Sequence, residues 1–147
     1  MARLVKVLFI EDEALLRSLF EDSLTAYSDE YADKYQFELD TRKDYLTAME
    51  YLEKMPAPDL IVLDLRLPVG KADMVQELPE PERGFDLLRK IKSEQKFKNC
   101  PVLVFTNLGD RETEQKAKQL GADKFMIKAK VLPKQLLDAI VELLEKK

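Results

Sequence analysis

The chain has 147 residues, a net charge of −4, one cysteine and no histidine. The single Cys100 excludes an internal disulfide, and the lack of histidine excludes a histidine base, a histidine metal ligand and a histidine phosphodonor within this chain. The basic residues are scattered and no apolar stretch approaches the about 18 residues of a membrane span, so we predict one cytoplasmic domain over residues 1–147 without direct contact to nucleic acid or membrane.

The first two predicted elements are a strand and a long helix. The strand spans Leu4 to Ile10, and the helix begins after Asp12. The apolar stripe of this helix contains Leu15, Leu16, Leu19, Phe20 and Leu24. Tyr27, Tyr31 and Tyr35 continue the stripe at intervals of four residues, which predicts a first helix long enough to include them as packing residues.

Four more strands alternate with helical segments. Gln36 to Thr41 alternates apolar and polar side chains, as a half-buried strand does, whereas Leu60 to Leu63, Val102 to Phe105 and Phe125 to Ile127 are continuous apolar runs. Three further helices are predicted from apolar residues at helical spacing. The second helix, which ends before Pro56, has Tyr45, Leu46, Met49 and Leu52. The third, after Gly84, has Phe85, Leu88 and Ile91, and the last has Leu136, Leu137, Ile140, Val141 and Leu144. This alternation predicts a parallel sheet.

Two segments depart from the compact pattern. Val69 to Arg83 is an insertion, because a strand-to-helix connection needs only about 2 to 6 residues. Its prolines and acidic residues argue against regular structure, and it is either a surface loop or a lid or partner-selecting surface beside Asp64. The fourth helix, Asp110 to Gln119, has almost no apolar face beyond Ala117, so it is either a segment that shifts during switching or a solvated surface helix.

Five polar residues stand at or just beyond the carboxyl ends of the predicted strands, namely Glu11, Asp12, Asp64, Thr106 and Lys128. Residues at such ends converge on one crevice of an open parallel sheet. Three neighbouring carboxylates repel one another unless a cation such as Mg²⁺ neutralises them, and Mg²⁺ is usually bound together with a phosphate. Lys128 and Thr106 could hold phosphoryl oxygens, and Asp64 could act as nucleophile. The pattern predicts a phosphoryl-accepting aspartate beside Mg²⁺.

Four segments carry a resemblance to a known family: Val7 to Glu13, Asp59 to Pro68, Val104 to Asn107, and Gly121 to Lys128. In this order and spacing the chain resembles the response-regulator receiver domains of two-component signalling over nearly its whole length. The resemblance implies an α/β fold of the flavodoxin-like, doubly wound type. Its five-stranded parallel sheet would have the strand order 2-1-3-4-5 with helices on both faces.

The resemblance also implies the chemistry of the site. Asp64 would accept a phosphoryl group from a phosphohistidine of a sensor histidine kinase or a phosphotransfer protein, and a downstream protein target would read the result. Glu11 and Asp12 would form the acidic pair. Asp12, Asp64 and the backbone carbonyl of Arg66 would surround Mg²⁺.

The resemblance further implies a switch beside the acceptor. Lys128 would pair with the phosphoryl group, the Thr106 hydroxyl would move toward it, and the Phe125 ring would repack inward. Two positions depart from the common pattern, since Ala129 stands where proline usually follows the lysine and Asn107 where a small residue usually follows the threonine. Together with the cation of Arg66 at the rim, Asn107 predicts a long-lived phosphorylated state.

Other functions remain open at this point. A degenerate receiver could act as a phosphorylation-independent protein-binding adaptor, as Ala129 and Asn107 would allow. A small aspartyl-phosphate phosphatase is disfavoured because Arg66 occupies the position where such enzymes usually have a second acid. A nucleotide-binding module is disfavoured because no glycine cluster follows the first strand. The chain could be a stand-alone receiver or part of a longer protein.

Overall fold

Five parallel strands form a single sheet in the computed structural model, which describes residues 2–70 and 82–146. The strands are β1 (Arg3–Ile10), β2 (Tyr35–Arg42), β3 (Leu60–Leu63), β4 (Val102–Thr106) and β5 (Lys124–Ile127). Their order in the sheet is β2-β1-β3-β4-β5, and every neighbouring pair is parallel. The predicted fold class and strand order are confirmed.

Helices cover both faces of this sheet. They are α1 (Ala14–Tyr27), α2 (Tyr45–Lys54), α3 (Glu82–Ser93), α4 (Arg111–Gln119) and α5 (Pro133–Glu145). Buried side chains of α1 and α5 pack on one face, and those of α2, α3 and α4 pack on the other. Within the described ranges, none of these helices has the length and apolar character needed to cross a membrane.

The strands end together at one edge, which positions the site. β3 and β4 are buried along their whole lengths, as expected for parallel strands that are covered on both faces. Ile10 of β1 lies opposite Leu63 of β3, and Thr106 of β4 lies opposite Ile127 of β5. The residues that follow these strand ends therefore start from the same edge of the sheet.

The prediction of a long first helix is wrong. α1 ends at Tyr27, the next tyrosine lies in the 3-10 turn Ser28–Tyr31, and Tyr35 begins β2 opposite Arg3 of β1. The rings of Tyr35 and Phe37 are 5.9 Å apart on that strand. Pairing with β1 thus outweighs the helical spacing of the tyrosines, which are compatible with either structure.

The buried face of α1 also differs from the predicted stripe. It is centred on Phe20, Ser23 and Leu24, whereas Leu15 and Leu19 are 71% and 43% exposed. Ser23 can be buried because its hydroxyl donates a 2.7 Å hydrogen bond to the carbonyl of Leu19. A stripe defined by apolar residues alone missed this serine.

The third helix begins at Glu82, earlier than the predicted start after Gly84. The predicted insertion Val69 to Arg83 therefore overlaps α3 by its last two residues, and its residues 71–81 lie outside the described part of the chain. Gly84 sits in the first turn because the helix crosses the β3 end closely there. A Cβ atom at Gly84 would lie 2.4 Å from the Cα atom of Leu65.

We expect Gly84→Ala to lower the free energy of unfolding by about 1 to 3 kcal/mol, since the backbone of Leu65 cannot rotate away from the added methyl group. Gly109→Ala is the matched control, because its Cβ would meet the flexible tip of Ile127 at 2.7 Å. Urea midpoints at constant m-value measure the difference. Equal losses in both variants would contradict this account.

α4 has the sparse apolar face that its composition predicts, with Ala117 as its buried residue. Asp110 caps its start by accepting a 3.1 Å hydrogen bond from the Thr113 N–H. Lys116 attaches the helix to α3 through a 3.0 Å ion pair with Glu82 and lies 4.5 Å from the ring centre of Phe85. Movement of α4 during switching stays a prediction.

Candidate functional site

The sequence-predicted site residues lie at the carboxyl edge of the sheet. Glu11 follows β1, Asp64 follows β3, Thr106 ends β4 and Lys128 follows β5. These four are buried, with 0%, 3%, 0% and 9% of their surfaces exposed, while Asp12 is exposed. Burial of three ionisable side chains at one edge requires that they be paired.

Lys128 provides this pairing. Its Nζ atom lies 2.7 Å from Asp64 Oδ2 and 2.5 Å from Glu11 Oε1. Glu13 Oε1 is 3.7 Å from the same atom. One ammonium group thus sits between two buried carboxylates and near a third, exposed one, so the site carries an excess of negative charge.

The charges of this cluster change the pKa values of its members. Burial raises the pKa of Glu11 to about 7, while the Lys128 ammonium opposes the rise and Asp64 adds to it. Burial alone would lower the pKa of Lys128, but Asp64 and Glu11 outweigh it and hold that pKa above its usual value. At neutral pH, ionisation of Glu11 therefore costs more free energy than ionisation of a solvent-exposed glutamate.

The carboxylates can accommodate a divalent cation. Ligand oxygens of Glu11, Asp12 and Glu13 all lie within 4.8 Å of one another. Glu11 Oε1 is buried and has no aligned hydrogen-bond donor among the described residues. The Lys128 ammonium therefore balances the charge of this oxygen but leaves its lone pairs without a well-aligned donor. Hard oxygen donors with unsatisfied lone pairs suit Mg²⁺ or Mn²⁺.

Glu13 is a site residue that the sequence reasoning missed. The sequence prediction includes Glu13 only as the last residue of the segment Val7 to Glu13 and gives it no role, whereas it lies in the acidic group beside Lys128. Its backbone N–H donates a 3.1 Å hydrogen bond to Glu11 Oε2, which fixes the first carboxylate. The run of three consecutive acids was the signal that could have identified it.

Arg66 contributes through its backbone. Its N–H donates a 3.1 Å hydrogen bond to Asp64 Oδ1, so both oxygens of this carboxylate have donors, the other being Lys128. The Arg66 side chain is exposed at the rim. The predicted role of its carbonyl as a metal ligand stays a prediction.

The predicted switch pair lies on adjacent strands. Thr106 is fully buried, and its Oγ1 accepts a 3.3 Å hydrogen bond from the Leu108 N–H. Phe125 is half-buried, lies opposite Val104 and packs against the core beneath α2, α3 and α4. This placement is compatible with coupled movement of the hydroxyl and the ring, which stays a prediction.

A small cleft of about 180 Å³ opens above Asp64. Its lining consists of Asp12, Glu13, Asp64, Arg66, Asn107 and Lys128. The cleft is polar, of a size suited to a cation and a phosphoryl group, and lies where ligands of doubly wound sheets bind. Larger hollows of about 740 Å³ and 450 Å³ include none of the five predicted strand-end residues.

Fold and cleft together define a flavodoxin-like α/β domain with an acidic site at the carboxyl edge of its sheet. Residues 7–141 match the family model described as the response regulator receiver domain, and the chain therefore belongs to the response-regulator receiver family. The family predicted from the sequence motifs is confirmed. Receiver domains are signalling domains, for which metal binding, phosphorylation and contact with histidine kinases or phosphotransfer proteins are typical.

Individual relatives are distant. The chain is 28% identical to the phosphate regulon transcriptional regulatory protein PhoB of Escherichia coli K12 over 135 residues, which cover 92% of this chain and 49% of PhoB. Chemotaxis response regulator CheY4 of Vibrio cholerae has a TM-score of 0.71 at 21% identity, covering 96% of this chain and 99% of CheY4. The Mn²⁺-bound form of response regulator Rcp1 has a TM-score of 0.68 at 25% identity, covering 96% and 90%. The chain thus spans about half the length of PhoB.

Proposed function

We propose that this receiver accepts a phosphoryl group on Asp64 from a histidine kinase or a phosphotransfer protein and thereby switches a surface read by a downstream protein. The observation that carries the proposal is the buried contact of Asp64 with Lys128, 2.7 Å at the base of the cleft. A buried carboxylate held by one ammonium and one backbone N–H is oriented for attack at the open side of the cleft.

In the proposed transfer, a carboxylate oxygen of Asp64 forms a bond to phosphorus while the bond from phosphorus to the donor's imidazole nitrogen breaks. The imidazole leaves with the bonding electron pair. Lys128 remains within reach of Asp64 and can share its positive charge with the new phosphoryl oxygens. Thr106, buried beside the strand end, supplies a hydroxyl donor.

Mg²⁺ or a similar cation is part of the proposal, because one ammonium cannot balance Glu11, Asp64 and an incoming phosphoryl group. The residues that would hold it are Glu11, Asp12 and Glu13, whose ligand oxygens lie within 4.8 Å of one another. Asp64, which lines the same cleft, and the Arg66 carbonyl are the further ligands predicted from the sequence. When bound, the cation would neutralise carboxylate and phosphoryl charge. Rcp1, a response regulator of similar fold, has been crystallised in a Mn²⁺-bound form, which supports a divalent cation in this receiver by analogy.

The test uses a small acyl phosphate as donor and intact mass as the measurement. With Mg²⁺ we expect the mass to rise by one phosphoryl group, and with a chelator in place of Mg²⁺ we expect no gain. Asp12→Asn should raise the Mg²⁺ concentration needed for half-maximal phosphorylation, because Asp12 is an exposed member of the acidic group.

Asp33→Asn, an exposed aspartate on the connection to β2, is the matched control and should behave as the wild type. Absence of any gain from the acyl phosphate and from a phosphorylated kinase would refute the proposal. A gain that the chelator leaves unchanged would refute the role of the cation alone.

A further inference from the structure

A hydrogen bond between Asn107 and Ala129 extends the sheet beyond its last strand pair. The β4–β5 ladder ends where Thr106 lies opposite Ile127. One step further along the chain, Asn107 Oδ1 accepts a 3.0 Å hydrogen bond from the Ala129 N–H. An asparagine side chain ends in the same amide group as a peptide bond, so Oδ1 acts here as one more strand carbonyl.

The backbone that receives this bond is a short turn. Lys128–Lys130 form a single 3-10 turn, closed by a 3.3 Å hydrogen bond from the Val131 N–H to the Lys128 carbonyl. The first N–H groups of such a turn have no partner within it. Ala129 and Lys130 are exposed, so packing holds this backbone only weakly. The Asn107 side chain supplies the Ala129 N–H with a protein partner.

The same turn is the base of the Lys128 side chain. The lysine ammonium must lie between Asp64 at 2.7 Å and Glu11 at 2.5 Å, at the end of a flexible four-carbon stem. A shift of the turn would move the start of this stem and change both distances. The position of the ammonium therefore depends on whatever holds the turn.

We propose that Asn107 is a positioning residue for Lys128. Its amide oxygen holds the turn through the Ala129 N–H and thereby keeps the ammonium between the two buried carboxylates. The positioning of Lys128 does not depend on the function proposed above, whereas any effect of Asn107 on phosphoryl transfer does. A space-filling role of Asn107 at the cleft rim is the competing account, since the residue also lines the cleft.

The first experiment measures the unphosphorylated protein. Asn107→Ala removes bulk and acceptor, Asn107→Leu keeps the bulk without the acceptor, and Asn107→Asp keeps an acceptor. In the alanine and leucine variants we expect the Ala129 amide to exchange with solvent about three- to tenfold faster, as loss of one hydrogen bond allows. We also expect acetic anhydride to modify Lys128 faster in the same two variants, as measured from the mass of the peptide that contains it.

The aspartate variant should retain the slow exchange of the Ala129 amide. Asn99→Ala is the matched control, an exposed asparagine at the opposite edge of the sheet, and should change neither readout. Urea unfolding of every variant separates a local loosening from a global loss of stability.

A second experiment removes the donor in place of the acceptor. Ala129→Pro deletes the N–H, while Ala129→Val keeps it and serves as control. We expect Ala129→Pro to speed the modification of Lys128 in the wild-type background and to add little in the Asn107→Ala background, because both changes break the same bond.

If Asn107→Leu leaves Ala129 amide exchange and Lys128 modification as in the wild type, side-chain bulk is sufficient and the proposal is overturned. Additive effects of Asn107→Ala and Ala129→Pro on Lys128 modification would also overturn it. Unchanged Lys128 modification in all variants would overturn it too.

If the wild type takes up phosphoryl groups, Asn107→Leu should also lower the maximal phosphorylation rate about three- to tenfold at saturating donor. A wild type that takes up none would refute the proposed function and leave the Lys128 result to decide this inference.

Discussion

Replacing Asp64 with asparagine is expected to abolish the gain of a phosphoryl group while leaving the protein folded. A neutral amide lacks the carboxylate electron pair that attacks phosphorus, so no slower route through the same side chain remains. Lys128 keeps an ion-pair partner in this variant, because Glu11 Oε1 lies 2.5 Å from its ammonium. We therefore expect the free energy of unfolding to change by no more than about 1.5 to 3 kcal/mol, the range for one hydrogen bond to a charged group.

Intact mass after incubation with Mg²⁺ and an acyl phosphate measures the first expectation, and urea unfolding measures the second. Asp22→Asn is the matched control, an exposed aspartate on α1, and should be phosphorylated as the wild type is. A full gain in Asp64→Asn at the wild-type rate would place the acceptor elsewhere. If Asp64→Asn both unfolds and takes up no phosphoryl group, the acceptor must be identified in the wild type by mapping the phosphorylated peptide. A phosphorylated peptide without Asp64 would then contradict the assignment of Asp64 as acceptor.

Most of the fold could be predicted because its strands are buried on both faces. Leu60–Leu63 and Val102–Thr106 have fully buried side chains, and such strands appear in a sequence as continuous apolar runs. The α1 boundary could not be predicted in the same way. Tyr27, Tyr31 and Tyr35 fit a helix by spacing, yet the last of them pairs with β1, which is a contact between distant residues that spacing does not encode.

The site was predictable to the extent that it follows from strand ends. Aligned carboxyl ends place Glu11, Asp64 and Lys128 together, and in the structure the Lys128 ammonium contacts both carboxylates. Their roles in phosphoryl transfer stay predictions. The bond between Asn107 and Ala129 could not be predicted, because the two residues are 22 positions apart and their contact depends on how β4 and β5 end.

Replacing Lys128 with methionine should give the largest loss of stability of any substitution at the site. Methionine retains much of the stem's volume but removes the charge, which leaves Glu11 and Asp64 buried without their cation. Breaking a buried ion pair from one side typically costs about 3 to 5 kcal/mol. Lys130→Met is the matched control, since this exposed lysine lies in the same turn, and should cost far less.

The loss should depend on pH in a defined direction. The pKa of Glu11 is already raised to about 7 in the folded wild type, and removal of the ammonium that opposes this rise can only increase it further. The folded state then binds more protons than the unfolded state above the ordinary glutamate pKa, so stability falls as pH rises. We expect the deficit of Lys128→Met against the wild type to be smaller at pH 5 than at pH 8, because ionisation of Glu11 at pH 8 favours the unfolded state, where this carboxylate is in water.

Urea unfolding at both pH values measures this deficit, and a second substitution identifies its cause. Adding Glu11→Gln to Lys128→Met removes one of the two buried negative charges, so the double variant should recover part of the stability lost at pH 8. A deficit of equal size at both pH values, with no recovery from Glu11→Gln, would mean that Lys128 stabilises the site by packing. In that case the excess of negative charge in the cleft could not be the reason for a divalent cation there.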